Sequence, residues 1–203
     1  SDVYKRQQLR ERLNSTQLRV KTLLAGYRNL AFQAEAFFQA MDFRFLFNTK
    51  RDVFHIGYNV TREKLDDNCY DLLASEARLG SLLAIAKRDV PHNHWLHLGR
   101  PMTSVVNVRT LLSWSGTMFE YLMPTLLMES YEQTFLTQSC RAAVDYQIAY
   151  GQEKNVPWGI SESSYYAFDT NMTYQYRAFG VPGLGFQRGL TQDLVITPYA
   201  SLL

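Results

Sequence analysis

An excess of charge of one sign is missing from this 203-residue chain: 21 Lys and Arg face 19 Asp and Glu, with no basic block and no acidic tail. A nucleic-acid partner is therefore not expected, because the electrostatic footprint it needs is absent. Cysteine is scarce. Cys69 and Cys140 belong to no CxxC pair and have no histidine beside them, which excludes a zinc site and a disulfide framework. Both lie in apolar, helix-like stretches and read as buried free thiols of a reducing compartment. No leader of a basic start followed by a short apolar run opens the chain. The most lipid-like window, Leu111 to Met128, is interrupted by Ser113, Ser115, Glu120 and Pro124, so it predicts a buried helix rather than a membrane span. No internal repeat or low-complexity segment is present.

What the chain does have is a hydrophobic content of 46% against 20% charged residues, which excludes disorder and a fibrous protein. Aromatic residues are abundant: 13 Tyr, 12 Phe and 3 Trp. Such rings serve sugar stacking and core packing alike, so composition leaves both open.

The opening SDVYKRQ resembles translated adaptor sequence at the ends of metagenomic reads. Residues 1–7 are set aside on that ground, and the chain is read as a piece of something longer. From Gln8 to about Ala40 one apolar stripe, Val20, Leu24, Tyr27, Ala31, Ala34, Phe38 and Met41, repeats at alternating intervals of four and three. This predicts a helix packed on a neighbouring domain. FRFLFN and DVFHIGYN, split by Asn48-Thr49-Lys50-Arg51, predict a small hairpin within Phe43–Gly57. A second helix is expected from about Leu65 to Lys87, with acids in its first turn. A loop between Pro91 and Pro101 holds a short turn at His92–Leu98. A third helix is expected over Gly116–Ser130, bent near Pro124, and a fourth over Tyr131–Tyr150, capped by Gly151. Residues 155–188 have too little periodicity for ordinary secondary structure and are too aromatic for a linker, which predicts a long ordered functional loop. The architecture is therefore expected to be mainly α.

The informative residues are carboxylates in apolar surroundings. Cys69, Leu72, Leu73, Glu76, Leu79, Leu83 and Ala86 share one face of the expected second helix, which puts Glu76 between leucines. A carboxylate there must be paired, hydrogen-bonded or protonated. A carboxylic acid with a raised pKa is what protonating a leaving group requires, while the plainer alternative is a buried glutamate paired with an arginine. Glu120 has a local explanation, since Thr117-Met118-Phe119-Glu120 is a capping box; capping or substrate contact is favoured over catalysis for it. Glu162, within PWGISES, has Gly159 for close backbone approach, Ser161 and Ser163 to orient it and Trp158 as a stacking face. An acid in the first turn of a following helix is the alternative. Two carboxylates in an aromatic cleft point to glycoside chemistry, where their separation decides retention or inversion. His92, His94 and His97 in PHNHWLH lack the acid or thiol of a metal set and read as a surface turn. Gly183-Leu184-Gly185 does not open a helix after a strand, so it is no dinucleotide fingerprint. Ser113 and Ser115 lack a GxSxG elbow. Neither a metal nor any other cofactor is expected.

Four ordered blocks, NVTREKLDDNCYDLLASEARLGSLLAIAKRDVP, LLSWSGTMFEYLMP, VPWGISESSY and QYRAFGVPGLGFQRGL, resemble the glucoamylase-like domain of cyclic β-1,2-glucan synthases, over about Phe43 to Leu203. The resemblance implies an all-α fold: part of an (α/α)6 barrel, roughly half of the toroid, with the small hairpin near its start. On that reading residues 8–42 are a helical linker, and 43–203 are the N-terminal part of the domain, truncated at its C-terminus. A full barrel needs roughly twice this length at about 11–12 residues per helix plus loops.

The resemblance further implies anomer-retaining transglycosylation of linear β-1,2-glucan into a ring. Glu76 in LLASEARL matches the general acid/base and Glu162 in GISES the nucleophile. Trp114, Tyr121, Trp158 and Tyr166 are expected to wall the cleft, and Arg78 and Glu120 to supply polar contacts. The expected partners are the glucan and other domains of one large polypeptide. That polypeptide would sit in the bacterial inner membrane, with this domain on the cytoplasmic side. Hydrolysis by an endo-β-1,2-glucanase and non-catalytic glucan binding are the competing readings.

Overall fold

The computed structural model describes residues 2–203. They divide into two compact units, one ending at Asp42 and the other spanning Phe43–Leu203.

The first unit is one helix, α1 (Asp2–Ala40), of 39 residues. It contains no proline, and pairs one turn apart support it: Arg6 with Asp2 at 3.9 Å, Gln7 donating to Glu11 at 3.4 Å and Gln39 to Glu35 at 2.6 Å. No residue of α1 is buried, although its apolar stripe has the expected helical spacing. Residues 2–7, set aside above, continue this helix, while Ser1 lies outside the described residues.

The second unit is mixed α and β, which corrects the all-α expectation of a partial (α/α)6 barrel. Its strands and helices run β1 (Phe47–Asn48), β2 (Val53–His55), β3 (Tyr58–Asn59), β4 (Lys64–Leu65), β5 (Cys69–Tyr70), α2 (Arg78–Ala86), α3 (His94–His97), β6 (Met102–Val105), β7 (Val108–Leu111), α4 (Met118–Leu122), α5 (Phe135–Lys154), β8 (Glu162–Phe168) and β9 (Tyr174–Ala178). The strands form four small antiparallel sheets among the described residues: β1-β2-β5, β3-β4, β6-β7 and β8-β9.

The expected hairpin forms, with Phe47 opposite Phe54 and Asn48 opposite Val53. A third strand then joins it, because Phe54 also pairs with Tyr70 and His55 with Cys69. That pairing is why the second helix begins at Arg78 rather than near Leu65, and why Cys69 lies in a strand. Beyond it, Leu73 N–H donates to Gly99 O at 2.9 Å and Gly99 N–H to Asp71 O at 2.6 Å. A segment whose backbone groups are taken by a distant strand cannot also close i→i−4 bonds.

The window Leu111–Met128 is likewise not one helix. Leu111 ends β7, α4 is a short helix, and a 3₁₀ turn, Met123–Leu126, follows with Pro124 near its start. Between β6 and β7, Val106 and Asn107 both have positive φ, 44° and 62°, the geometry of a tight two-residue hairpin turn. Residues 155–188, expected as a loop, contain the β8-β9 hairpin, with Glu162 opposite Ala178 and Ser164 opposite Tyr176.

Helix α5 is capped at its start by Thr134, whose hydroxyl accepts from Thr137 N–H, and at its end by Asn155 in the left-handed region, φ 55°. Gly151 lies inside the helix rather than capping it. A Cβ there would stand 3.0 Å from Val156 O and 3.3 Å from the Trp158 backbone, so the glycine lets the chain turn back against α5. The main core joins Leu111 of β7, Met118 and Tyr121 of α4, Ala142 and Ala143 of α5, and Val181 and Leu184. A second cluster of Phe54, Ala84 and Val90 lies under β2. His94, expected on a surface turn, is fully buried beside it with its ring 4.8 Å from that of Phe54.

Candidate active site

Three segments distant in sequence meet around one cleft. The first is the loop Ser113–Gly116 between β7 and α4. It is pinned by the glycine-rich run after β9: Ser113 N–H donates to Leu184 O at 3.0 Å, Phe186 N–H to Ser113 O at 3.2 Å and Gln187 N–H to Trp114 O at 2.8 Å. The two backbones lie so close that a Cβ on Gly180 would stand 1.7 Å from Ser115 O, and one on Gly185 2.5 Å from Ser115 C. Gly185 of the Gly183-Leu184-Gly185 run and the preceding Gly180 are thus the backbone-contact positions.

Glu120 closes this loop from within α4. The capping box is complete, with Thr117 N–H donating to Glu120 Oε2 at 2.9 Å and Glu120 N–H to Thr117 Oγ1 at 3.1 Å. The same carboxylate accepts from Ser113 Oγ at 2.8 Å and Ser115 N–H at 2.9 Å. Its oxygens are therefore occupied by local donors, and only 5% of the residue is exposed.

Arg78, first residue of α2, is buried behind the loop. Its guanidinium donates to Ser75 O at 2.9 Å, Glu120 O at 2.7 Å and Tyr121 O at 2.6 Å. It holds the last carbonyls of α4 to the segment carrying Glu76, and among the described residues it makes no ion pair with that acid. Tyr121 is also fully buried, its hydroxyl donating to Leu111 O at 2.6 Å and Leu184 O at 3.1 Å.

Glu76 sits in the turn leading into α2, half-buried rather than in mid-helix. Ser75 Oγ donates to its carboxylate at 3.3 Å. Burial raises its pKa above the ordinary carboxylate value, and the charges of Glu120 and Glu162 push the same way. No ion pair reaches it among the described residues.

Glu162 is the first residue of β8, not the first turn of a helix. The chain before it is clamped: Gln147 of α5 donates to Ile160 O and accepts from Ile160 N–H, both at 2.7 Å. Ser161 Oγ accepts from Phe119 N–H at 3.1 Å and from the Tyr199 hydroxyl at 2.9 Å. The Tyr176 hydroxyl of β9 donates to Glu162 Oε2.

Glu76, Glu162, Glu120 and Trp114 together line a cleft of about 520 Å³, with Tyr70 and Cys69 of β5 on its wall. Burial raises the Tyr70 pKa, and the charges of Glu76 and Glu162 raise it further. A larger apolar cavity of about 900 Å³, lined by Arg78, Trp95, Cys140 and Val144, contains neither Glu76 nor Glu162. Of the residues expected in substrate contact, Trp114 and Glu120 line the cleft. Arg78 and Tyr121 are buried behind it, Trp158 packs against the core, and Tyr166 stands on the outer part of β8, 87% exposed.

Gln147, Tyr176, Tyr199 and Tyr70 escaped sequence reasoning. Nothing local marks them: Gln147, Tyr176 and Tyr199 bond to partners distant in sequence, and Tyr70 lines the cleft from β5. No group of three or more His, Cys, Asp or Glu side chains capable of holding a metal ion occurs among the described residues.

Residues 68–203 match the model of the Glycoamylase family, a glucoamylase-like domain, and the chain belongs to that family. Over 185 residues it is 50% identical to the cyclic beta-(1,2)-glucan synthase NdvB of Rhizobium meliloti (strain 1021). That match covers 91% of this chain and 6% of the relative's length.

Proposed function

We propose that this chain supplies the reacting carboxylates of a transglycosylase that closes linear β-1,2-glucan into a ring with retention at the anomeric carbon. The observation carrying this reading is a division among the three acids of one cleft. Glu120 is consumed by its capping hydrogen bonds, which leaves Glu76 and Glu162. Glu76, held protonated more readily by burial, suits a general acid. Glu162, with one oxygen held by Tyr176, suits a nucleophile. Similarity to a cyclic β-1,2-glucan synthase supports the substrate.

In the first half-reaction Glu162 attacks the anomeric carbon. The glycosidic C–O bond breaks as Glu76 delivers its proton to the departing oxygen, and the sugar is left esterified to Glu162. In the second, the Glu76 carboxylate takes the proton of an incoming sugar hydroxyl, whose oxygen forms the new C–O bond and frees Glu162. One linkage is lost and one is made, so no cofactor is required. Water as the acceptor would give hydrolysis instead, and exclusion of water by the acceptor chain decides between them. Trp114, on the cleft wall, is the assigned stacking surface. No helix of the described residues is long and apolar enough to cross a membrane, so inner-membrane attachment is assigned to other parts of the polypeptide.

The test is to incubate the full polypeptide carrying this chain with linear β-1,2-glucan and weigh the products. Products lighter than the matching linear chains by one water support ring closure. Shorter linear chains alone would assign a hydrolase. Binding without turnover, unaffected by loss of both carboxylates, would assign a non-catalytic glucan-binding domain.

A further inference from the structure

The β8-β9 hairpin leaves the cleft as a two-stranded ribbon with two different faces. Alternation along the strands and the observed register put Glu162, Ser164 and Phe168 of β8 on one face with Tyr174, Tyr176 and Ala178 of β9. The Tyr176 hydroxyl on Glu162 joins diagonal neighbours of that face, next to the small Ala178 opposite the acid. Farther out, the rings of Phe168 and Tyr174 lie 4.5 Å apart, and Tyr166 meets Phe168 edge-on at 5.2 Å.

The opposite face points to the protein. There Tyr165 packs on Phe179 at 4.9 Å, and Arg177 is paired with Asp193 at 2.6 Å. The aromatic face thus carries no cation and, beyond Glu162, no charge, yet Tyr174 and Tyr176 are 59% and 64% exposed. An uncharged chain of hydroxyl-bearing rings fits this surface better than an anionic polymer, and the row is continuous with the cleft through Glu162.

We propose that Phe168, Tyr174 and Tyr176, with Tyr166 at the edge, form a stacking track that carries the glucan chain outward from the sugar reacting at Glu162. The four steps from Tyr174 to Ala178 span roughly 13 Å at about 3.3 Å each, room for more than one sugar ring. The track deepens the reading given under Proposed function and rests on it. It makes chain length a determinant of binding: a short glucan fills the cleft alone, and a long one adds contact with the hairpin rings.

The experiment compares the full polypeptide with its Tyr166→Ala/Tyr174→Ala variant, measuring affinity for a short and a long linear β-1,2-glucan. Both residues are exposed, so folding is preserved, as an unchanged thermal midpoint verifies. The variant is expected to bind the long chain on the order of tenfold more weakly, about 1.4 kcal/mol, and the short chain as before. Tyr→Phe at both positions restores long-chain affinity. Unchanged long-chain affinity assigns the rings to contact with another polypeptide and overturns the track, as does an equal loss for both lengths. Absence of binding of either glucan by the unsubstituted polypeptide overturns the function reading itself.

Discussion

The side-chain amide of Gln147 holds both backbone groups of Ile160, donating to its carbonyl and accepting from its N–H, each at 2.7 Å. Gln147 is fully buried in the middle of α5, and Ile160 stands two residues before Glu162. One helix residue thereby sets where the candidate nucleophile leaves the core.

Substituting Gln147 by Leu strands a buried N–H and a buried carbonyl. A loss of about 2–4 kcal/mol is expected from two unsatisfied groups, read by urea denaturation. Gln147→Glu removes only the donor to Ile160 O and sets a carboxylate against a carbonyl. It should be at least as damaging at neutral pH and should recover partly on acidification.

Gly180 and Gly185 have no room for a methyl group against the Ser115 backbone. Gly180→Ala is expected to cost more than about 3 kcal/mol, beyond ordinary overpacking, because backbone must move. Gly80, in the first turn of α2 with nothing within 4 Å of a Cβ, supplies the contrast. Gly80→Ala should raise stability by about 0.5–1 kcal/mol. Thermal unfolding of the two variants together separates backbone contact from helix propensity.

Arg78 satisfies three carbonyls with one planar group. Arg78→Lys keeps the charge but not the fork, and should lose about 2–3 kcal/mol of stability. Equal stability of the lysine variant would show that charge rather than geometry matters there.

Glu76 is an acid whose pKa folding raises, chiefly by burial. The folded state then holds its proton more tightly than the unfolded chain does. Stability contributed by that proton is full below the unfolded value and declines as pH rises toward the folded one. Glu76→Gln should abolish turnover while keeping glucan binding, and should flatten this decline. Denaturation midpoints across the acid-to-neutral range check the second effect without any substrate.

Tyr176→Phe removes the hydroxyl on Glu162 and leaves the ring. A fall in kcat of roughly 10–100-fold is expected, the worth of one hydrogen bond to a charged group, with KM and thermal stability nearly unchanged. A rise in KM alone would assign the Tyr176 hydroxyl to substrate contact rather than to Glu162.

Much of the molecule's local structure was legible in the residues. Helix α1 followed from its stripe, and the first hairpin from two aromatic runs around Asn48. The capping box at Thr117 and Glu120 follows from residues three apart, whose interaction needs no distant partner. Glu76, Glu120 and Glu162 stood out because carboxylates are costly in apolar surroundings. The second helix was placed too early, because the spacing around Glu76 fits a helix until β5 pairs with β2 and Leu73 with Gly99. The fourth was expected to end at Gly151, a residue that serves close packing rather than termination.

By itself the sequence determined which residues could do acid–base chemistry, which short segments coil or turn, and which family the chain belongs to. The tertiary structure alone decided that Glu76 and Glu162 line one cleft while the carboxylate of Glu120 is held by local donors. It also decided that Arg78 and Tyr121 brace the site from behind, and that β8 and β9 form a hairpin at all. Those outcomes rest on hydrogen bonds between groups tens of residues apart, such as Arg78 to Tyr121 O and Phe119 N–H to Ser161 Oγ. Their partners are invisible to any local pattern, because the free energy that selects them comes from burying both ends at once.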